Sequence, residues 1–328
     1  MKVLGGVDIG GTKTAVVLSA QPPAVLKRVV FPTLPEEGPG PGMKRIIAGM
    51  HEALSSQHLS ASDLEAIGIS CGSPLDPVKG VIQSPPNLST WKDVPITSML
   101  ESEFGVPCFL ENDANAGALA EHWFGAGQKV DNMVFLTMGT GLGAGLILDG
   151  RLYRGASYLA GEIGHVRLRR SGPRGHNKAG SAEAWASGQG MAQVAEKEVQ
   201  AAAAHGAATQ LLPEKGGVAA SYTARDIWEV AQRGDLVAQR IVKITGERLG
   251  EVLAILVDIL NPERIVIGGL AVRMGEALLG PARLVVKREG LQGTVGACQI
   301  VAAQLGEEIG DIAALCVVLD AKKRQSCH

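Results

Sequence analysis

A carboxylate and a glycine turn between two apolar, β-branched runs constrain this chain more than any other feature. Val3 to Ile9 and Thr14 to Leu18 are predicted strands, and Asp8 lies at the end of the first. Because glycine has no side chain, backbone N–H groups in such a turn can approach an anion closely. The segment alone is equally typical of an ordinary hairpin. If it binds phosphate, the residues of the turn are Gly10, Gly11, Thr12 and Lys13.

The same strand, glycine turn and strand recur near the middle of the chain. Met133 to Met138 leads into a segment with four glycines in seven residues, Gly139 to Gly145, and then into Leu146 to Leu148. A further glycine pair follows the apolar run Arg264 to Ile267. Two copies of one unit predict two related halves that bind a nucleotide, and the alternative is that the glycines only form tight turns. The predicted nucleotide-binding residues here are Gly139, Thr140, Gly141, Gly268 and Gly269.

Composition limits the class of partner. With 328 residues, 46% hydrophobic and 20% charged, the chain is long enough for about two globular domains. The 31 basic and 33 acidic side chains nearly cancel, to a formal net charge of -2. This balance gives no broad attraction for nucleic acid or an anionic membrane, so small local ligands are expected.

Targeting and redox signals agree with a cytoplasmic protein. No apolar run approaches the roughly 18 residues of a membrane span, and the start of the chain lacks a signal-peptide core. The five cysteines include no Cys-x-x-Cys pair, and we expect reduced thiols.

Strands and helices alternate along the chain, which predicts an α/β fold. One junction is notable. A predicted strand at Pro107 to Leu110 is followed by Glu111, Asn112 and Asp113, and then by a predicted helix that ends at Phe124. An aspartate at such a junction is typical of a helix N-cap, and its carboxylate is also available for chemistry.

Taken together, these segments resemble the ROK family, a bacterial group of sugar kinases and sugar-responsive repressors. The segments that carry the resemblance are Asp8 to Lys13, Pro86 to Trp91, Glu111 to Asn115, Gly139 to Gly145 and Leu159 to His165. The resemblance covers nearly the whole chain. It implies an α/β, two-domain actin-like ATPase (RNase H-like) fold, with duplicated halves and a cleft between them. The implied domains are residues 1–116 and 117–309, with a C-terminal helix at about 310–328 that returns to the first domain.

The resemblance also implies an activity, the ATP-dependent phosphorylation of a hexose, with glucose at the 6-hydroxyl as the expected substrate. By position in the motif, Asp113 is the general base, which must reach the hydroxyl and stay ionised. Asp8 is the expected carboxylate on the Mg²⁺ side, through water, and ATP and Mg²⁺ are the expected cofactors. The sugar-binding positions matched are Asn87, Asn112, Glu162, His165 and Glu183.

Alternative functions stay open. One is an N-acetylhexosamine kinase, acting on N-acetylmannosamine or N-acetylglucosamine. Another is a non-catalytic sugar-binding regulator. Repressors of the family carry a DNA-binding helix-turn-helix before the first phosphate motif, and only Met1 to Gly6 precede it here, so we expect a kinase without a nucleic-acid partner. A homodimer is the usual assembly in the family.

Two departures from the family pattern bear on the site. Many members carry three cysteines that, with the histidine matched by His165, hold a structural zinc; the matching positions here are Arg174, His176 and Ser181. Without the three thiolates, two histidines do not complete a tetrahedral site, so no zinc is expected. The second departure lies in Cys71 to Asp76, where the family usually has Pro-Gly before the last three residues. Both weaken any inference about which sugar fits.

Overall fold

The structure is a computed structural model that describes residues 1–212 and 222–326. The strands are β1 (Val3–Ile9), β2 (Lys13–Ser19), β3 (Lys27–Pro32), β4 (Leu64–Cys71), β5 (Leu75–Asp76), β6 (Val81–Ile82), β7 (Cys108–Asn112), β8 (Met133–Met138), β9 (Leu142–Leu148), β10 (Arg151–Tyr153), β11 (Arg174–Gly175), β12 (Lys178–Ala179), β13 (Arg264–Ile267) and β14 (Gln299–Ala302). The helices are α1 (Pro39–Ser56), α2 (Ile96–Phe104), α3 (Asp113–Phe124), α4 (Ala182–Trp185), α5 (Gly188–Ala204), α6 (Ala224–Gln232), α7 (Leu236–Leu260), α8 (Leu270–Met274), α9 (Glu276–Glu289), α10 (Gln292–Ala297) and α11 (Ile309–Gln325).

The chain forms two compact units. The N-terminal unit contains Met1–Gln128, Leu152–Tyr158 and the described residues from Leu305 onward; the C-terminal unit contains Lys129–Arg151 and the described residues of Leu159–Gln304. The predicted boundary after residue 116 falls inside α3. That helix belongs whole to the N-terminal unit, where it packs on α11. Residues 327–328 of the predicted C-terminal helix lie outside the described residues.

The N-terminal unit is built on a five-stranded sheet in the order β3-β2-β1-β4-β7. β1 pairs antiparallel with β2 and parallel with β4, and β4 pairs parallel with β7. Register places Asp8 opposite Ser70 and Cys71 opposite Asn112. Since the carboxyl ends of parallel strands lie at one edge of a sheet, Asp8 and Asn112 reach the same edge.

Helices cover both faces of this sheet, as the alternation of side chains requires. Val16 and Leu18 belong to the core shared with α1, whereas Val17 belongs to the core shared with α11. At Gly68 in β4, a Cβ would collide with the carbonyl oxygen of Ala314 in α11. Glycine therefore lets α11 lie directly on the strand.

The C-terminal unit repeats this connectivity in its sheet strands, which lie in the order β9-β8-β13-β14. β8 pairs antiparallel with β9 and parallel with β13, which pairs parallel with β14. The central pair of helices, α7 and α9, packs closely because Gly246 and Gly250 face the backbone of α9; a Cβ at Gly246 would lie 2.5 Å from the Leu278 oxygen. The predicted α/β class and the predicted repeat of strand, glycine turn and strand are thus confirmed.

The four cysteines in the described residues carry free thiols, with Cys71, Cys108 and Cys316 buried and Cys298 partly buried. Cys327 lies outside the described residues. Among the helices of residues 1–212 and 222–326, none combines the length and the apolar character that crossing a membrane requires.

Candidate active-site residues

The first glycine turn directs backbone N–H groups outward. Gly10 N–H donates to the Lys13 carbonyl at 3.0 Å, and the Gly10 carbonyl accepts from Thr33 Oγ1 at 2.7 Å. Because the C=O and N–H of one peptide point in opposite directions, the next N–H, that of Gly11, points away from Thr33. Within the described ranges, the N–H groups of Gly11 and Thr12 have no hydrogen-bond acceptor. The turn is therefore built to receive an anion.

The second glycine turn also has its carbonyl groups hydrogen-bonded to the protein, but the donors here are backbone N–H groups of α5. Gly188 N–H, at the start of α5, donates to the Gly139 carbonyl at 2.8 Å, and Gln189 N–H donates to the Thr140 carbonyl at 3.3 Å. Because the N–H of each peptide points opposite to its C=O, the N–H groups of Thr140 and Gly141 point away from α5. In the part of the chain that the structure describes, neither N–H has an acceptor.

Close approach, rather than an unusual φ, explains glycine at one position in each turn, Gly11 and Gly141. Gly11 and Gly141 are not among the residues with positive φ. A Cβ at Gly11 would lie 2.8 Å from Asn87 Cβ, and one at Gly141 would lie 2.6 Å from Glu183 Oε2. Each turn thus lies against a residue predicted to bind sugar.

A cavity of about 480 Å³ adjoins the second turn within the C-terminal unit. It is lined by Met138, Gly139, Thr140, Gly188, Gln189, Ala192, Tyr222, Thr223, Ala224, Gly269, Leu270 and Arg273. Gly269 has a positive φ of 63° and lies against the Met138 carbonyl, so only glycine fits there. Gly268 does not line the cavity and lies against the ring of Phe135.

Asp8 is the centre of an acidic cluster in the N-terminal unit. The pKa of Asp8 is raised to about 6, first by burial and then by the nearby charges of Asp113 and Asp311, which together outweigh the lowering effects of a hydrogen bond with Ser70 and of Lys13. Gly310, at the start of α11, lies so close that a Cβ there would overlap the Asp8 carboxylate. A bound cation would relieve this concentration of negative charge.

Asn112, not Asp113, caps α3. Asn112 Oδ1 accepts the N–H groups of Ala114 at 2.9 Å and of Asn115 at 3.3 Å. Asp113 is the first residue of the helix and is exposed, with Oδ1 accepting the Ala114 N–H at 2.8 Å. The N-cap interpretation of Asp113 is therefore wrong, because the preceding residue already fills that position.

The amide nitrogen of Asn112 also has a partner inside the protein. Asn112 Nδ2 donates to Ser73 Oγ at 2.8 Å. Since Oδ1 serves as the cap, one N–H of Nδ2 is what remains for a ligand. Sequence reasoning missed Ser73 because it lies in a short loop after β4, and only the pairing of Cys71 with Asn112 brings the two together.

The second group of predicted sugar-binding residues lies in the C-terminal unit. Glu162 precedes a short 3₁₀ turn, Ile163–His165, and Glu183 lies in α4. His165 Nε2 is 3.7 Å from Glu162 Oε2. Glu183 Oε2 accepts the Leu142 N–H at 3.0 Å, and Glu183 Oε1 pairs with His176 Nε2 at 2.9 Å. Burial lowers the pKa of His165, and the charge of His176 lowers it further.

The loop that departs from the family's zinc pattern has a structure of its own. β11 and β12 form a hairpin with a two-residue turn. The turn residue His176 stacks on His165, with ring centroids 3.6 Å apart. Across residues 1–212 and 222–326, no group of three His, Cys, Asp or Glu side chains is arranged to hold a metal ion. The role of His176 was not predicted from the sequence.

The chain is similar to known proteins in both sequence and structure. A model of the ROK family matches residues 4–321. Glucokinase from Thermotoga maritima is 34% identical over 316 residues, which cover 95% of this chain and 96% of that protein. Xylose repressor from Caldicellulosiruptor bescii is 33% identical over 234 residues, 68% of this chain and 55% of that protein. A ROK family glucokinase from Streptomyces griseus, solved in complex with glucose and AMPPNP, aligns with a TM-score of 0.79 and 31% identity over 95% of this chain and 98% of that one.

Proposed function

The chain belongs to the ROK family, and we propose that it transfers the γ-phosphoryl group of ATP to the 6-hydroxyl of glucose. Membership confirms the resemblance found in the sequence and the expected actin-like ATPase fold. The similar glucokinases are matched over nearly their whole length, which supports a sugar kinase. The observation that carries the proposal is the pair of glycine turns, each with its carbonyls bound to the protein and its next N–H groups directed outward.

Asp113 is the proposed general base. As the new O–P bond forms, its carboxylate takes the proton of the sugar hydroxyl, which raises the nucleophilicity of the oxygen. Its exposed place at the N-terminus of α3 leaves it open to a substrate. The Asn112 cap fixes the backbone just before it. A base positioned in this way contributes about 10²–10⁴-fold to the rate.

The nucleotide is bound mainly by backbone. The outward N–H groups of Gly11, Thr12, Thr140 and Gly141 are the proposed donors to phosphate oxygens, and Lys13 is an exposed cation next to Thr12 in the chain. The cavity next to Gly139 and Gly269 is the proposed nucleoside site. Tyr222 and Arg273 add an aromatic surface and a cation to that cavity.

Mg²⁺ is the proposed metal, and the residues present fit it. Asp8 offers one hard oxygen donor, and because burial and the charges of Asp113 and Asp311 raise its pKa to about 6, a cation beside it would favour the ionised carboxylate. Mg²⁺ is commonly bound through one or two carboxylates, water and substrate phosphates rather than by an all-protein site. When bound, the ion neutralises charge on the phosphates.

Sugar recognition is proposed for Asn87, Asn112, Glu162, His165 and Glu183. Two of them are already hydrogen-bonded within the protein, Asn112 to the start of α3 and Glu183 to Leu142. We propose that their remaining donors and acceptors form hydrogen bonds with the hydroxyl groups of the sugar ring. Because ATP is the donor, we place the reaction in the cytoplasm. The homodimer and the lack of a nucleic-acid partner stay predictions.

The test is ATP turnover with a panel of sugars. We expect ADP release to depend on glucose, with N-acetylmannosamine and N-acetylglucosamine poorer substrates. Faster turnover with either N-acetylhexosamine would favour that rival activity, and polyphosphate in place of ATP tests the donor. Tight glucose binding without any turnover would favour a non-catalytic regulator.

A further inference from the structure

The hairpin of β11 and β12 holds an imidazole in an unusual backbone position. Its two-residue turn consists of His176 and Asn177, with φ of 52° and 59°. Positive φ at both central residues is typical of a type I′ turn, whose twist matches the flanking strands. Non-glycine residues adopt this conformation at a cost, so a side-chain role at His176 is worth seeking.

The hairpin is anchored without the help of His176. The side chain of Gln193 in α5 accepts the Arg174 N–H at 2.8 Å and donates to the Arg174 carbonyl at 2.9 Å. Gly180 N–H donates to the Pro173 carbonyl at 2.8 Å, which closes the base of the loop. Loss of the His176 side chain should therefore leave the hairpin in place.

His176 contacts two of the proposed sugar ligands. Its Nε2 pairs with Glu183 Oε1 at 2.9 Å, and its ring stacks on His165 with an angle of 24° between the planes. The side chains of His176 and Glu183 are 29% and 18% exposed. Since Glu183 Oε2 is bound to the Leu142 N–H, His176 fixes the second oxygen and so the plane of the carboxylate.

The orientation of the His165 ring also depends on its contact with His176. Its side chain is 48% exposed, and its ion pair with Glu162 is long, at 3.7 Å. The stack on His176, at 3.6 Å between centroids, is the closer of the two contacts. Without His176, the ring would be freer to change rotamer, and that freedom would be lost again on binding.

We propose that His176 is a positioning residue for the sugar. It holds the Glu183 carboxylate and the His165 ring in one orientation before the sugar arrives. The inference rests on the proposed function, since that assigns Glu183 and His165 to the sugar. Its signature is a loss of sugar affinity with little change in ATP affinity or in folding, because Gln193 and the Gly180–Pro173 hydrogen bond anchor the hairpin without His176.

Three variants test this: His176→Ala, His176→Gln and Asn177→Gly. Gln places an amide N–H near the position of Nε2, so it can still donate to Glu183. Asn177→Gly is the matched control, since glycine suits the second position of the same turn. Each variant is assayed by steady-state kinetics for glucose and for ATP, by glucose calorimetry and by thermal unfolding.

We expect His176→Ala to raise the KM and Kd for glucose about tenfold, with kcat, the KM for ATP and the Tm close to wild type. His176→Gln should recover much of the affinity, and Asn177→Gly should behave as wild type. Unchanged glucose affinity in His176→Ala would overturn the inference. So would an equal loss for ATP together with a lowered Tm, because that pattern marks a merely structural role.

The outcome is separable from that of the proposed function. If wild-type protein binds glucose and does not phosphorylate it, the kinase proposal fails, and calorimetry on the same variants still decides the role of His176. If wild-type protein binds no glucose, both fail.

Discussion

Arg154 Nε donates to Glu111 Oε2 at 2.7 Å, next to the residues proposed for proton transfer. The same guanidinium donates through Nη2 to Asp320 Oδ2 at 2.6 Å. Glu111 is 3% exposed, and its Oε1 accepts the Asn112 N–H and Asn115 Nδ2, both at 3.0 Å. Arg154 thus balances a buried carboxylate that fixes the backbone of Asn112, one residue before Asp113.

Replacing Arg154 should therefore impair both stability and turnover. In Arg154→Met, Glu111 stays buried without its cation, which should cost about 3–5 kcal/mol of unfolding free energy. Turnover should fall more than glucose affinity, since the base is displaced. Urea unfolding and steady-state kinetics measure the two effects.

Arg324→Met is the matched control for Arg154. Arg324 also pairs with Asp320, at 3.0 Å, and its side chain is 53% exposed. We expect a change within about 0.5 kcal/mol and normal turnover. Equal effects at the two arginines would show that the contact with Glu111 has no special importance.

Gly310 should be intolerant of a single methyl group. Because a Cβ there overlaps the Asp8 carboxylate, Gly310→Ala must move Asp8 or the start of α11, at a cost of about 1–3 kcal/mol. We expect turnover to fall and the Mg²⁺ concentration for half-maximal rate to rise. Gly296→Ala in α10 is the control, since a Cβ there meets nothing within 4 Å. Wild-type Mg²⁺ dependence in Gly310→Ala would remove Asp8 from the metal side.

Asp8→Asn should lose activity and yet gain stability at neutral pH. Burial raises the pKa of Asp8 from 3.8 to about 6. The folded protein therefore holds the proton more tightly than the unfolded chain, so ionisation lowers stability above about pH 6, and this cost disappears as the pH falls toward 3.8. Thermal unfolding without Mg²⁺ should show a higher Tm for Asp8→Asn at about pH 7.5 and an equal one near about pH 4. A lower Tm at both pH values would contradict this account of the cluster.

Removal of metal should leave the hairpin loop intact. Since His165 and His176 stack and His176 pairs with Glu183, the loop has its own contacts, and treatment with a strong chelator should, once Mg²⁺ is restored, change neither the Tm nor the turnover. Metal analysis of the purified protein checks the premise. Stoichiometric zinc would show that further ligands complete a site around the two histidines.

The local parts of the fold could be predicted from the sequence, because strand pattern and glycine turns are encoded within a few residues. β1, β2 and β8 form where the apolar runs indicated, whereas β9 begins at Leu142, four residues earlier than predicted and within the segment expected to be the turn. The predicted helix cap was wrong by one residue. Asn and Asp are both good N-cap residues, and in the structure the cap is Asn112, at the end of β7, rather than Asp113.

Contacts between distant residues could not be predicted. Gly141 belongs to a glycine turn that the sequence indicates, but the residue that constrains it, Glu183, lies 42 positions further along the chain. Arg154 and Asp320 approach each other only because α11 and the segment Leu152–Tyr158 belong to one unit. Likewise, Tyr222 and Arg273 line the cavity beside Gly139 and Gly269 with no local motif to mark them.

The most direct test is to follow ATP and glucose by ³¹P NMR with wild-type protein and with Asp113→Asn in parallel. Asp113→Asn keeps the shape of the side chain and removes the base, so glucose binding by calorimetry should be nearly unchanged. We expect wild type to form ADP and glucose 6-phosphate, and the variant to do so at least about 100-fold more slowly. A variant as fast as wild type would remove Asp113 from proton transfer, and wild type that forms no sugar phosphate from any hexose would contradict the kinase assignment itself.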